Sequence, residues 1–114
     1  MKHVNQRNIR IVDELMNFCA KLGADKFQIE VANEEKETQI FFRTYIKYID
    51  EETLETMKKL LSSPRYHEME EYYWNLPGDD DTDTELTLVG MMTDEAEVKY
   101  VNGEYLDIKL KRIK

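Results

Sequence analysis

The sequence predicts a two-layer α/β sandwich, in which a mixed or antiparallel sheet carries helices on one face. Three observations lead to this prediction. Apolar residues recur at three- and four-residue spacing near the start of the chain, which indicates an amphipathic helix. In four shorter stretches they alternate with polar residues, which indicates strands with one buried face. The length of 114 residues suits one core, so residues 1–114 are expected to form a single domain.

The first helix is predicted from Val4 to Leu22, with Gly23 as its stop. Its apolar residues follow helical spacing, and the set comprises Ile9, Val12, Leu15, Met16, Cys19 and Leu22. Among these, Cys19 is interpreted as a core thiol rather than a nucleophile, because it shares the apolar stripe and has no second cysteine to pair with.

Two strands are predicted next, separated by a polar turn at residues 33–36. The first strand lies in KFQIEVA and places three apolar residues on one face: Phe27, Ile29 and Val31. The second, from about Thr38 to Ile46, likewise has one apolar face, formed by Ile40, Phe42 and Ile46. Its other face is amphipathic rather than purely polar, since it carries Phe41, Arg43, Tyr45 and Lys47.

Asp50 is a good N-cap for another helix, whose predicted buried stripe comprises Leu54, Met57, Leu60 and Leu61. Ser62-Ser63-Pro64 ends that helix and begins a further one, which runs to about Trp74. The loop GDDDTDTE at residues 78–85 carries five carboxylates. Their mutual repulsion is expected to keep this loop mobile and solvated.

The last third of the chain contains a short apolar run and a hairpin. The run ELTLVGMMTD is too short for its periodicity to distinguish a helix from a buried strand. The hairpin signal is clear, because Asn102-Gly103 favours a type I′ turn. Alternating apolar residues flank that turn on both sides: Ala96, Val98 and Tyr100 before it, and Leu106, Ile108 and Leu110 after it.

Composition narrows the function classes. The formal net charge of −8 disfavours nucleic acid as a partner, because phosphate binding needs a basic patch. No run reaches the roughly 18 apolar residues of a membrane span, and the start has no apolar leader segment, so the expected location is the cytoplasm. No metal is expected, since His3 and His67 lie far apart. The acidic loop also lacks the glycine and glutamate spacing of a calcium loop.

The order of predicted elements resembles the Bergerat ATPase fold of histidine kinases. At motif level, MMTDEAEVKYVNGEYLDIKLKR is similar to the end of bacterial serine-kinase anti-sigma factors. There a helix ends in a Met-Asp-Glu-like motif, followed by Val-x-Val, a turn with Gly and a final strand ending in basic residues. The resemblance implies a histidine-kinase-like ATPase fold, and it implies that residues 86–93 are helical.

ATP chemistry in that family requires three features. The first is a carboxylate one helical turn before an asparagine that carries Mg²⁺, and Asp13 and Asn17 have this spacing. They are the weak candidates for a catalytic acid and for Mg-ATP binding. The favoured interpretation is an ordinary solvated flank, in which Arg10 and Glu14 form an i,i+4 pair.

The other two features are missing. An Asp-x-Gly-x-Gly turn should follow the second strand, but Thr44, Ile46 and Tyr48 stand at about those positions, and their bulk is expected to fill the adenine pocket. A Gly-x-Gly turn should cradle the phosphates, but the acidic loop stands there instead. ATP hydrolysis and kinase activity are therefore not expected.

The segment PRYHEMEEYYWNLPG replaces the ATP lid of the family with an aromatic-rich, acidic helix. Aromatics this dense cannot all face the core, and exposed aromatics are typical of interfaces. The predicted partner-binding residues are Tyr66, Tyr72, Tyr73 and Trp74. The alternative is that some of these aromatics cover the empty nucleotide pocket.

Two functions remain open. The leading hypothesis is a non-catalytic regulatory or protein-binding module on a decayed histidine-kinase-like ATPase scaffold, without a cofactor. The alternative is an ATP/Mg-binding serine kinase of the anti-sigma type, or another nucleotide-dependent regulator. The expected partner is a protein rather than nucleic acid or a membrane, and a homodimer is left open.

Overall fold

The computed structural model describes residues 4–62 and 82–114 of the chain. Three helices and four strands occur in these ranges. In chain order they are α1 (Val4–Lys21), β1 (Phe27–Asn33), β2 (Glu37–Thr44), α2 (Glu51–Leu61), α3 (Thr82–Met91), β3 (Glu95–Val101) and β4 (Tyr105–Ile113). The helix predicted from residue 64 to residue 74 lies outside the described residues. No helix in the described ranges is both long and apolar enough to cross a membrane.

The four strands form one antiparallel sheet in the order β1-β2-β4-β3. Apolar side chains from one face of this sheet join those of the three helices in a single core. We call this face the inner face. The α/β class, with an antiparallel sheet and the described helices packed on one side of it, is therefore confirmed at this coarse level.

Helix α1 buries most of the predicted stripe, with Val12, Met16 and Leu22 partly buried against the core, and it adds Ile11 and Phe18 in place of Ile9. Its core residues are Ile11, Leu15, Phe18 and Cys19, whereas Ile9 is 66% exposed. The predicted stop is confirmed, since Gly23 has a φ of 99°. The amide of Ala24 donates to the carbonyl of Cys19 at 3.0 Å, and that of Gly23 donates to Ala20 at 3.0 Å. This is the Schellman arrangement that closes a helix with a left-handed residue.

Helix α2 begins where the sequence predicts. Asp50 accepts a hydrogen bond from the backbone N–H of Thr53 at 2.8 Å. The side chain of Thr53, followed by this backbone bond, lowers the pKa of the Asp50 carboxyl. Met57 and Leu61 are fully buried in the core. The other two residues of the predicted stripe, Leu54 and Leu60, are partly buried against it.

The ambiguous run after residue 85 is helical and forms most of α3. Gly90 lies against α2 so closely that an added Cβ would overlap the carbonyl oxygen of Leu60. A glycine is therefore required where α2 and α3 approach each other. Residues 82–85, predicted to belong to a solvated loop, instead begin α3. Glu85 is buried and accepts a hydrogen bond from the Lys21 ammonium at 2.7 Å, which compensates its charge.

The closing hairpin has the predicted strands and a slightly longer turn. Val101 pairs with Tyr105, so residues 102–104 connect β3 to β4, whereas a type I′ turn would use two residues. The amide of Glu104 donates to the carbonyl of Val101 at 2.9 Å, and Gly103 has a φ of 76°. The glycine thus occupies the position that needs a left-handed conformation.

A polar network closes one end of the core. The buried Arg112 guanidinium donates to the carbonyl of Met92 at 2.8 Å and to the side-chain oxygen of Asn8 at 3.2 Å. The amide of Asn8 in turn donates to Asn33 at 3.1 Å, and the Thr38 hydroxyl donates to the same Asn33 oxygen at 2.8 Å. These bonds tie α1 to three strands and to the residue that follows α3, so they fix the helices over the sheet.

Candidate binding surface

The two weak candidates for nucleotide chemistry lie on α1. Asp13 and Asn17 are both exposed, one helical turn apart, beside the buried stripe. Next to them the guanidinium of Arg10 pairs with the buried carboxylate of Glu14 at 2.8 Å. The expected i,i+4 pair is present, but the Glu14 side chain is buried, so this part of the flank is not solvated as expected. Among the described residues, no group of three or more His, Cys, Asp or Glu side chains could hold a metal ion.

The three residues at the expected adenine-reading turn, Thr44, Ile46 and Tyr48, differ in their burial. Thr44 is fully buried, and its hydroxyl donates to the carbonyl of Lys26 at 2.8 Å. Ile46 is also buried in the core. Tyr48 is 69% exposed, so the expectation that its side chain fills a pocket was wrong.

The predicted partner-binding residues Tyr66, Tyr72, Tyr73 and Trp74 lie outside the described residues. Their arrangement therefore stays a prediction.

Two buried carboxylates lie between α1 and α3, close to Cys19. Burial raises the pKa of Glu14 above its ordinary value, and the neighbouring Glu85 adds to the effect, while Arg10 opposes it. Burial, together with Glu85, also raises the pKa of the Cys19 thiol to about 12. A thiol with this pKa stays protonated near neutral pH and is a poor nucleophile. Each carboxylate has its own cation, Arg10 for Glu14 and Lys21 for Glu85, so the cluster is a closed structural contact.

The other face of the sheet offers a more promising surface, which we call the outer face. It consists of alternate residues of the four strands, turned away from the core. These are Gln28, Glu30 and Ala32 of β1; Glu37, Gln39, Phe41 and Arg43 of β2; Tyr105, Asp107, Lys109, Lys111 and Ile113 of β4; and Glu95, Glu97, Lys99 and Val101 of β3. The described helices all pack on the opposite, inner face, so none of them covers this one.

One end of the outer face is fixed by a bidentate ion pair across β2 and β4. The Arg43 guanidinium donates to both carboxylate oxygens of Asp107, at 2.6 and 2.8 Å. It also stacks on Tyr105, with its carbon 4.0 Å from the ring centroid, and lies 5.6 Å from the ring centroid of Phe41. The hydrogen bonds to Asp107 raise the pKa of Arg43 further above its ordinary value. Planar pairing and stacking hold the guanidinium in one orientation.

The other end is fixed by a looser ion-pair network. The Lys111 ammonium lies 3.1 Å from a carboxylate oxygen of Glu95 and 3.7 Å from one of Glu37. The hydrogen bond to Glu95, followed by the charge of Glu37, raises the pKa of Lys111. The amide of Gln39 donates to Glu37 at 2.6 Å and to Glu34 at 3.3 Å. Charges at this end are therefore largely satisfied within the protein.

A depression of about 680 Å³ extends from the Lys111 end to the middle of the outer face. The strand register places four side chains in a row across it: Glu30, Phe41, Lys109 and Glu97. Phe41 is half-buried, and the three charged residues are exposed. Within the described ranges, none of these three makes an ion pair or a side-chain hydrogen bond. The central row thus combines an aromatic surface with one cation and two carboxylates that can pair with something else.

Sequence reasoning did not identify the central row. The amphipathic outer side of β2, with Phe41 beside Arg43, was the one signal of it. In the sequence, Lys109 and Glu97 look like ordinary solvated residues of a hairpin. Only the strand register shows that they lie in one row with Phe41. Comparison with protein-family models, curated proteins and solved structures found no match to this chain.

Proposed function

We propose that this chain is a non-catalytic, protein-binding regulatory module on a decayed histidine-kinase-like ATPase scaffold, and that its outer face is a contact surface. The observation that supports this most is the central row. Phe41 there offers an aromatic surface, and Glu30, Lys109 and Glu97 have no partner among the described residues. Ion pairs fix the sheet on both sides of this row, so little ordering would be needed on binding.

The charge balance of the outer face favours a protein partner over nucleic acid. Five carboxylates stand there, namely Glu30, Glu37, Glu95, Glu97 and Asp107, against four cations, namely Arg43, Lys99, Lys109 and Lys111. Phosphate backbones need an excess of positive charge, and this face has none. Aromatic and arginine side chains among mixed charges are typical of the residues that dominate protein interfaces.

The central row also indicates the chemistry of the partner. An apolar side chain of the partner would cover the half-buried ring of Phe41. A carboxylate would pair with Lys109, and basic groups would pair with Glu97 and Glu30. The complementary surface is therefore one apolar residue flanked by charges of both signs, and most of its specificity would come from those charges.

The scaffold part of the proposal rests on the order of elements and on the lost nucleotide features. In the described residues a long helix, a strand hairpin, a helix, a short helix and a closing hairpin follow one another, and this order supports the resemblance. The second of the two middle helices in the predicted order lies outside these residues. Thr44 and Ile46 are buried where an adenine-reading Asp and a glycine would be needed. Side chains packed in the core cannot open toward a base without disrupting that core.

The test is quantitative affinity capture from the native host, with wild type compared to Lys109→Glu and Phe41→Ala. Lys58→Glu on α2 is the matched control, because it makes the same charge change at an exposed helix position. We expect the specific partner to be retained by wild type and by Lys58→Glu, and to be lost with the two outer-face variants. A partner captured equally by all four proteins would exclude the outer face as the contact surface.

The alternative function, nucleotide binding with Mg²⁺, is supported by one observation. Asp13 and Asn17 are both exposed one helical turn apart, so a ligand could reach both side chains. Calorimetric titration with Mg-ATP decides between the two functions. The leading proposal predicts no binding, whereas micromolar binding that Asn17→Ala abolishes would overturn it in favour of an anti-sigma-type serine kinase or a nucleotide-dependent regulator.

A further inference from the structure

The two edges of the sheet differ in how well they are covered. At the β3 edge the inner-face side chains Ala96, Val98 and Tyr100 are partly buried against the core. At the β1 edge the equivalent side chains Ile29 and Val31 are 37% and 41% exposed. The edge of β1 is therefore the one where apolar inner-face residues remain accessible to solvent.

The backbone of β1 is also available for pairing. The amide of Glu34 donates to the carbonyl of Glu37 at 2.8 Å, and the register is continuous from there. Since antiparallel ladders alternate, the even-numbered residues of β1 bond to β2. The N–H and C=O groups of Phe27, Ile29 and Val31 then point away from the sheet. None of the three bonds to another element in the described part of the chain.

Edge strands of soluble proteins are usually protected against pairing by a bulge, a proline or a lysine. The sequence of β1, FQIEVAN, has no proline or lysine, and its pairing with β2 has no bulge. Its single charged residue is Glu30, on the outer face. We propose that β1 pairs antiparallel with β1 of a second copy, so that two sheets join into one of eight strands.

The self-complementarity of the strand argues for a second copy as the occupant. A two-fold axis beside Ile29 places Ile29 opposite its own copy, Phe27 opposite Val31, and Gln28 opposite Glu30. Apolar residues then meet on the inner face, while an amide meets a carboxylate on the outer face. The backbone groups that point outward are the ones that bond in this register.

The neighbouring registers fit less well. A register centred one residue further along β1 places Glu30 opposite Glu30 of the second copy. This is a non-hydrogen-bonded pair, in which side chains lie close together, so the two carboxylates would repel each other. A shift in the other direction keeps only the pairs among residues 27–29. The register centred on Val31 also has five residue pairs and no like-charge contact, but it places Ile29 opposite the polar Asn33. Among these registers, the one centred on Ile29 combines five pairs, no like-charge contact and only apolar pairs on the inner face, so it is the one proposed.

Sedimentation equilibrium on the full chain tests the pairing. Wild type is expected to form dimers as its concentration rises, and Ile29→Lys is expected to weaken them by at least about tenfold, because it places two ammonium groups side by side. Gln28→Lys is the matched control, since it adds the same charge one residue away but faces Glu30 of the second copy. It is expected to retain or tighten the dimer, with a urea midpoint showing that both variants fold.

Disulfide cross-linking tests the register. Gln28→Cys combined with Glu30→Cys should cross-link the two copies under mild oxidation. In the proposed register these positions face each other as a non-hydrogen-bonded pair, whose Cα atoms lie about 4.5 Å apart, within disulfide range. Glu30→Cys alone should remain uncross-linked, and the buried Cys19 gives no background.

Three outcomes would each overturn the proposal. They are a wild type that stays monomeric at millimolar concentration, equal weakening of the dimer by both lysine variants, and cross-linking of Glu30→Cys alone. Self-pairing depends on Ile29 and outer-face binding on Phe41, so either can fail alone.

Discussion

The inner and outer faces of this sheet use alternate residues of the same strands and yet have opposite physical characters. Phe42, on the inner face, is fully buried, and its ring centroid lies 5.7 Å from that of Phe27. Phe41, its neighbour in the chain, is half-buried beside the Arg43 guanidinium and beside charged residues that have no partner in the described ranges. The inner face thus supplies stability through burial. The outer face contributes little to stability and leaves groups free for another molecule.

The largest expected effect separates the two faces directly. Phe42→Ala should lower the free energy of unfolding by about 3–5 kcal/mol, because it leaves a cavity in the core. Phe41→Ala should lower it by about 1 kcal/mol, because the ring is only half removed from water. Urea denaturation of both variants measures the difference. Equal losses would show that the outer face is as important for folding as the core.

The next effect concerns helix packing over the inner face. Gly90→Ala should destabilise the protein by about 1–3 kcal/mol, because the new Cβ would force α3 away from the Leu60 carbonyl. Helix propensity alone would predict a gain from this change. Asn17→Ala is the control, since it improves helix propensity at an exposed position of α1. It should stabilise the protein by roughly a few tenths of a kcal/mol. A stabilised Gly90→Ala variant would contradict the close approach of α2 and α3.

A smaller effect should appear as a pH dependence of stability. The folded-state pKa of Glu14 is raised above 4.5, its ordinary value, so the folded protein holds this proton more tightly than the unfolded chain does. The resulting stabilisation is present below that value and is lost as pH rises through the folded-state pKa. Glu14→Gln removes this titration. Its urea midpoint relative to wild type should therefore increase between acidic and neutral pH, and a relative decrease would contradict the burial of Glu14.

The smallest effect is expected on the outer face. Lys111→Ala removes an exposed ion-pair network with Glu95 and Glu37, and it should leave the urea midpoint unchanged within error. The same variant examined at high salt should match wild type, because exposed pairs are screened. A clear loss of stability at low salt would show that the outer face is held together by its charges.

Several parts of the fold could be predicted because their causes are local. Gly23 ends α1 through its own backbone conformation, and Asp50 caps α2 through a bond to the third residue beyond it. The α/β class followed from periodicities that each strand and helix carries by itself. The helical state of the run after residue 85 followed from a family resemblance rather than from its pattern.

Other features could not be predicted because they depend on distant parts of the chain. Ile9 fits helical spacing but is exposed, whereas Ile11 and Phe18, which were not part of the predicted stripe, face the core. Glu85 is buried because Lys21, 64 residues away in the chain, supplies its countercharge. Ile29 and Val31 alternate like buried residues, yet they are 37% and 41% exposed because none of the described helices covers the edge of β1.

The sequence by itself determined the elements and their order, since helix caps, turns and apolar periodicity act within a few residues. Only the tertiary structure decided which polar residues meet. It joined Arg43 to Asp107 and exposed the apolar side of β1. It also placed Lys109 and Glu97 beside Phe41, without a partner among the residues that the structure describes. The physical reason is that these contacts follow from strand register and helix placement, which depend on packing across the whole core.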